Sequence, residues 1–409
     1  MFKIAIVGAG PAGCMLARLL THRGQNISVT IFEGEESINF RSQGGTLDLH
    51  PKTGQHALRE AGLYNEFLKY ARFDSEAVTM ADKNFLCYIK LNGNKNGSTT
   101  GRPEIDRYQL RKLLYESLPE GIVRWGHKLL RVGSDLTLHF VDKPSQGGFD
   151  LIVGADGGWS KVRTLVTDVK PFYSGVAGHS MSIPDAERNA PDLYKLVNRG
   201  SLFSWSDGKS IIGQQLGDGS INVATWSVRP QNWQKECGYD VHDGKATKAA
   251  CLRDYADWDP RLVALTQQAE DHAVPRDLYM LPIEHRWQNV KGVTLVGDAA
   301  HLTTPFAGEG VNIALADCVE LAEAIISAIS AADLHRKVQA FEESMFTRAQ
   351  NTKQKTWDNL QAIMLTPGSP RFGIERFLIN SLKDELGRWL TMLLTPVVYT
   401  YFFVFKLIW

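Results

Sequence analysis

Cysteine is scarce in this 409-residue chain: Cys14, Cys87, Cys237, Cys251 and Cys318 are odd in number, scattered and free of C-x-x-C spacing. That excludes a disulfide framework and a thiolate zinc site and suits a reducing compartment such as the cytoplasm. Each thiol reads as a small buried hydrophobe. An excess of one charge is also missing. Lys and Arg number 45, Asp and Glu number 45, and no basic run occurs, so nothing supports nucleic-acid binding. There is no Ser-His-Asp, Cys-His or metal-ligand cluster, no internal repeat and no low-complexity segment. The first apolar run starts almost at Met1, which leaves no room for a signal or transit peptide.

What is present begins at once. Residues 4–7 form a continuous apolar run, the mark of a strand buried on both faces. It breaks into Gly8-x-Gly10-x-x-Gly13, followed by a helical pattern through Met15, Leu16, Leu19 and Leu20, then Gly24, then a second strand at 27–32. Gly8 allows a tight turn, Gly10 lets backbone approach a pyrophosphate, and Gly13 lets helix and strand pack closely. The helix start offers N–H groups and partial positive charge to phosphates. Glu33 follows about 20 residues after the last glycine, placed to accept hydrogen bonds from a ribose. Strand, glycines, helix, strand and acid in this order predict a nucleotide-binding unit.

Further along, the pattern predicts a helix over 52–70, a hairpin over 73–91, a solvated loop over 92–101 and a helix opening at 104–111. Strands are expected near 122–125, 129–132, 137–141 and 149–154, the last running into Asp156-Gly157. Residues 201–206, 209–216 and 220–228 alternate like strands and are joined by Asp207-Gly208 and Gly217-Asp218-Gly219. These read as a three-strand antiparallel meander. Residues 240–272 are helical and polar. A buried strand then returns with Gly292-Val-Thr-Leu-Val-Gly-Asp298-Ala-Ala-His301, before helices at 310–328 and 334–353.

Three segments belong together: Gly8 to Glu33, Asp156-Gly-Gly-Trp-Ser-Lys-Val-Arg163, and Gly297-Asp298-Ala-Ala-His-Leu-Thr-Thr-Pro305-Phe-Ala-Gly308-Glu-Gly310-Val311-Asn312. In order and spacing they resemble the fingerprints of the class A flavoprotein monooxygenases, which share a para-hydroxybenzoate-hydroxylase-like fold. The stretches 44–50, 103–111, 160–163, 257–259 and 297–312 are similar to the tetracycline-inactivating branch of that family. The resemblance runs from residue 3 to about residue 350. It implies an α/β fold with a Rossmann-type FAD-binding domain (1–170 and 281–365), an inserted antiparallel-sheet substrate domain (171–280) and a C-terminal apolar helical segment (366–409).

By the same resemblance, Gly8, Gly10, Gly13 and Glu33 hold the adenosine half of FAD. Asp156 serves FAD and the visiting NADPH or NADH, and Asp298 meets the flavin's ribityl side. Asp48 and Arg107 contact FAD, and Arg41 meets NADPH. Pro305, Gly308 and Gly310 position the flavin ring, and Gly310, Val311 and Asn312 bind the cofactor. No catalytic side chain and no metal is implied: the reduced flavin takes up O₂ as a C4a-hydroperoxide, which hydroxylates or epoxidises an electron-rich carbon of a small aromatic or polycyclic substrate. His301 reads as a packed or solvent-facing histidine rather than a base.

The branch's tetracycline-holding side chains do not recur in 195–226. Trp205, Gln214, Asn222 and Trp226 occupy that stretch. They are the substrate candidates, although Trp205 and Trp226 fit a sheet core equally well. Within the same fold an oxidase or reductase is the alternative activity; the W-x-W-x-I-P signature of the halogenases is absent. A non-catalytic, ligand-sequestering flavoprotein is the alternative of another class. The longest uncharged run, 389–405, approaches the length of a spanning helix. Pro396 and several Thr and Tyr favour a tail packed on the protein over a peripheral membrane contact or an anchor.

Overall fold

The computed structural model describes residues 1–40, 44–73, 77–92 and 101–408. They divide into two compact units, one of Met1–Arg72, Thr100–Phe172 and Tyr279–Lys353, the other of Phe73–Thr99, Tyr173–Leu278 and Gln354–Trp409.

In the first unit, the apolar runs build a five-stranded parallel sheet in the order Val293–Leu295, Leu151–Gly154, Phe2–Val7, Ile27–Phe32, Val123–Arg124. Ile4, Ala5, Ile6 and Val7 are buried, as are all four residues of Leu151–Gly154. A strand covered on both faces has no polar side to alternate, which is why these runs are continuous. Helix Pro11–Arg23 lies against helix Gly310–Ile326, with Met15, Leu16, Leu19, Leu315, Cys318 and Leu321 in one core. The helix expected over 52–70 is instead two, Gly54–Glu60 and Tyr64–Leu68. The break falls at Gly62, whose φ of +68° leaves the helical region.

The second unit is a seven-stranded sheet in the order Val274–Met280, Phe172–Ile183, Ile221–Val228, Lys209–Gln215, Ser201–Ser206, Val78–Ala81, Cys87–Leu91. The expected meander is its centre. Asp207 and Gly208 both have positive φ, the geometry a two-residue hairpin turn requires. One face is covered by helices Pro191–Val197 and Pro260–Gln268, which bury Leu202, Ile211, Ile221 and Val223 against Leu193, Leu262 and Leu265.

The tail is helical. Ile374–Ile408 carries one break, at Gly387 (φ 76°, ψ 166°), and runs on through Pro396. Thr391 and Phe402 are buried, and the Phe402 and Phe405 rings lie 6.5 and 5.2 Å from Tyr88. Trp389, Met392, Leu393, Val397, Phe403 and Leu407 are exposed.

Candidate functional site

The glycine turn has the shape its sequence demands. Gly8 sits at φ +105°, and a Cβ there would stand 2.4 Å from the Ala155 carbonyl oxygen. A Cβ on Gly13 would stand 2.0 Å from the Gly8 carbonyl oxygen, so helix and strand touch through hydrogen alone. Gly10 is different: a Cβ there meets nothing within 4 Å. That open space leaves room for a phosphate to approach the backbone. Glu33 ends strand Ile27–Phe32 and accepts from the Ala9 N–H at 2.6 Å and the Glu35 N–H at 2.9 Å. Sequence reasoning passed over Arg111. This buried guanidinium donates to the Ala9 carbonyl (3.1 Å) and Glu35 (2.7 Å), and its Nη1 is buried without a hydrogen-bond partner among the described residues. The available signal was its position one helical turn after Arg107.

Asp156 follows strand Leu151–Gly154, beside the Gly8 turn. Its Oδ2 accepts from the Lys161 and Val162 N–H groups at 2.7 and 3.3 Å, while its Oδ1 is buried and unpartnered among the described residues. Burial raises the carboxyl pKa, against the hydrogen bonds from Ser160 and the backbone of Lys161. Arg163 donates to the Ala299 and Gly158 carbonyls, tying the Asp156 segment to the turn after Gly297. There Asp298 follows strand Val293–Leu295; its side chain reaches the surface, yet the protein around it desolvates the carboxyl and raises its pKa, against the charges of His301 and Arg107.

Gly308 and Gly310 frame Glu309, which precedes helix Gly310–Ile326. No side chain caps that 17-residue helix, so its first-turn N–H groups remain available. Asn312 is fully buried and its side chain is committed to the protein: Nδ2 donates to the Asp48 carbonyl, and Oδ1 accepts from the His50 and Gly54 N–H groups. Any contact it makes with a cofactor runs through its backbone. Asp48 in turn lies 2.9 Å from His50, whose other ring nitrogen faces Glu309 at 3.2 Å. Arg41 lies outside the described residues.

In the second unit the ladder register puts all four substrate candidates on one face. Trp205 pairs with Ser210, which pairs with Trp226; Gln214 pairs directly with Asn222. This is the face opposite Leu202 and Ile211, hence opposite the covering helices. Trp205 is buried, with Nε1 unpartnered among the described residues; Gln214, Asn222 and Trp226 are half-buried. Ser180 donates to Asn222 at 3.2 Å, and Gln214 donates to Ser201 at 3.3 Å.

The first unit therefore presents an open glycine turn, an acid at the end of the second strand, a buried orphan carboxylate oxygen, a buried orphan guanidinium nitrogen and an uncapped helix start. That donor and acceptor set fits a dinucleotide such as FAD. Comparison with known proteins gives the same answer. Residues 1–356 match the family model described as an FAD binding domain. The chain is 31% identical to monooxygenase asqM of Emericella nidulans, over 88% of this chain and 95% of that one. It superposes on Klebsiella pneumoniae HpxO complexed with FAD and uric acid with a TM-score of 0.74, at 18% identity, covering 97% of each chain. The tetracycline destructase Tet(55) superposes with a TM-score of 0.71 at 18% identity, covering 95% of this chain and 98% of that one. With the family model spanning most of its length, this chain belongs to the FAD binding domain family and is a class A FAD-dependent monooxygenase.

Proposed function

We propose that this enzyme uses NADPH or NADH and O₂ to hydroxylate or epoxidise a small aromatic or polycyclic compound of the secondary-metabolite or antibiotic-like kind. The observation that carries this reading is the single sheet face bearing Trp205, Trp226, Gln214 and Asn222. The half-buried Trp226 indole would supply flat apolar surface for a ring, with Trp205 packed beneath as support, and two amides would supply the few hydrogen bonds that orient it. Bound FAD would supply the activation of O₂. The protein's part is placement and exclusion of water, because a wet site wastes the activated oxygen as H₂O₂.

Within the nucleotide unit, Gly8, Gly10, Gly13 and Glu33 would hold the adenosine half, and Asp156 and Arg107 the middle of the cofactor. Asp298, Asp48 and the backbone of 305–312 would hold its flavin end. The exposed side of the tail helix would rest on a lipid surface, since it offers apolar side chains along about 25 Å without a charge between Trp389 and Phe405.

The test is a screen of aromatic metabolites for stimulated NADPH and NADH oxidation, followed by mass spectrometry of products formed under ¹⁸O₂. Nicotinamide oxidation coupled to product carrying ¹⁸O is expected. Oxidation that yields only H₂O₂ with every substrate would point to an oxidase or reductase. Tight ligand binding without any turnover would point to a sequestering protein.

A further inference from the structure

His50 has a carboxylate on each ring nitrogen. Nε2 lies 2.9 Å from Oδ2 of Asp48, and Nδ1 lies 3.2 Å from Oε2 of Glu309. A neutral imidazole can donate from only one nitrogen, so with both carboxyl groups ionised both nitrogens must carry protons. The side chain is 12% exposed, with Glu309 at 17% and Asp48 at 38%. The three groups thus form a half-buried anion–cation–anion chain. It joins strand Thr46–Asp48 to the residue between Gly308 and Gly310. Asp48 Oδ1 comes within 3.6 Å of where a Cβ would stand on Gly308. Burial disfavours the charged ring, but the hydrogen bonds to Asp48 and then Glu309 outweigh it and push the His50 pKa up to about 9. The imidazolium is therefore held at neutral pH.

The turn at 305–310 is the part of the third fingerprint that would face the flavin ring. We propose that His50, as an imidazolium between Asp48 and Glu309, is a positioning residue that sets the charge beside that turn and thereby tunes the reduction potential of bound FAD. Reduction by a hydride donor transfers two electrons and a proton; the site gains one negative charge and the donor leaves with one more positive charge. An added negative charge is favoured by a nearby cation and disfavoured by a nearby anion. Removing the His50 charge leaves two carboxylates and makes reduction harder. Removing the Glu309 charge leaves a neutral Asp48–His50 pair and makes it easier.

The inference rests on the flavin assignment, which the yellow colour of purified holoprotein checks separately. The experiment measures the FAD midpoint potential of the holoprotein and of its His50→Gln and Glu309→Gln variants by dye-equilibrated reduction at neutral pH and low ionic strength. A more negative potential is expected in His50→Gln and a more positive one in Glu309→Gln. A packing role alone would weaken FAD binding in both without shifts of opposite sign. Shifts of the same sign, or none, overturn the proposal. If His50→Gln does not retain FAD, Glu309→Gln decides by itself: a positive shift supports the charge role, and no shift or a negative one removes it.

Discussion

His301 Nε2 lies 2.5 Å from Oδ2 of Asp317, with both side chains buried. The histidine four residues before Pro305 is therefore packed and paired, not solvent-facing. Asp317 also accepts from the Gly297 N–H at 3.2 Å and from Arg348 at 2.9 Å. Burial would raise its carboxyl pKa, but His301 and Arg348 hold it below the usual range. One carboxylate thus anchors the Gly297 turn, at φ 60° and ψ −142°, to the long helix behind it.

Asp317→Asn should consequently be a stability variant. It leaves a half-buried Arg348 facing an amide and weakens the His301 pair, a change of the order of 3 kcal/mol for a broken buried ion pair. Urea unfolding should show a lower midpoint at unchanged m. A midpoint equal to the parent's would mean the network contributes nothing.

Gly10 and Gly13 should separate cofactor binding from folding. Gly13→Ala drives a methyl into the Gly8 carbonyl and should lower the stability of the apoprotein by about 1–3 kcal/mol, as overpacking does. Gly10→Ala meets only open space, so the apoprotein should melt like the parent while FAD affinity falls. Calorimetric titration with FAD, alongside apoprotein melting, reads both. Equal melting loss in the two variants would contradict the open geometry at Gly10.

Much of this was legible beforehand because it depends on local rules. Continuous apolar runs announced the parallel strands, and Asp207-Gly208 announced its hairpin. Strand Phe172–Ile183 was not legible, since Ser, His and two glycines interrupt its apolar pattern. Its Gly178 is explained only by the neighbour: a Cβ there would stand 1.7 Å from the Thr225 carbonyl oxygen, which no local signal reveals. Arg111, His50 and Asp317 escaped for the same reason. Their partners lie 76 residues away for Arg111–Glu35 and 16 for His301–Asp317, and His50 meets Glu309 only once the chain has folded.

Gln214 and Asn222 should govern substrate selectivity. They stand opposite one another on the sheet face turned away from helices Pro191–Val197 and Pro260–Gln268, in a different unit from the nucleotide fingerprints. Replacing either by Ala should change KM for the accepted substrate about fivefold, the loss of one hydrogen bond of about 1 kcal/mol, with FAD content unchanged. FAD lost in parallel with turnover would make them structural.

His50 should also leave a mark on stability against pH. Its folded pKa is raised from the ordinary histidine value of 6.5 to about 9, so its contribution is complete below pH 6.5 and disappears as pH rises through 9. Glu104, raised by burial to about 7, likewise costs stability as pH rises, but between 4.5 and 7. Lys353, lowered by burial to about 8, acts in the opposite sense above pH 8. The measurement is therefore the difference in unfolding free energy between parent and His50→Gln. That difference should shrink between pH 6.5 and 9; a constant difference would mean that His50 is not charged in the fold.

The tail allows its two sides to be tested apart. Phe402 is buried beside Tyr88, so Phe402→Ala should cost about 3 kcal/mol or more, as aromatic truncation in a packed site does. Leu393 and Phe403 are exposed on the other side, and the Leu393→Ser/Phe403→Ser pair should leave the melting temperature within a degree or two of the parent's. The same pair should reduce co-sedimentation with phospholipid vesicles if the exposed side meets lipid, because burial of apolar surface drives such contact. Cutting before Trp389 removes both sides and should lower stability and vesicle binding together. A tail that served only as a loose membrane contact would behave otherwise. Truncation would then release the protein from vesicles without lowering its melting temperature, and Phe402→Ala would be silent; the buried Phe402 argues for the first outcome.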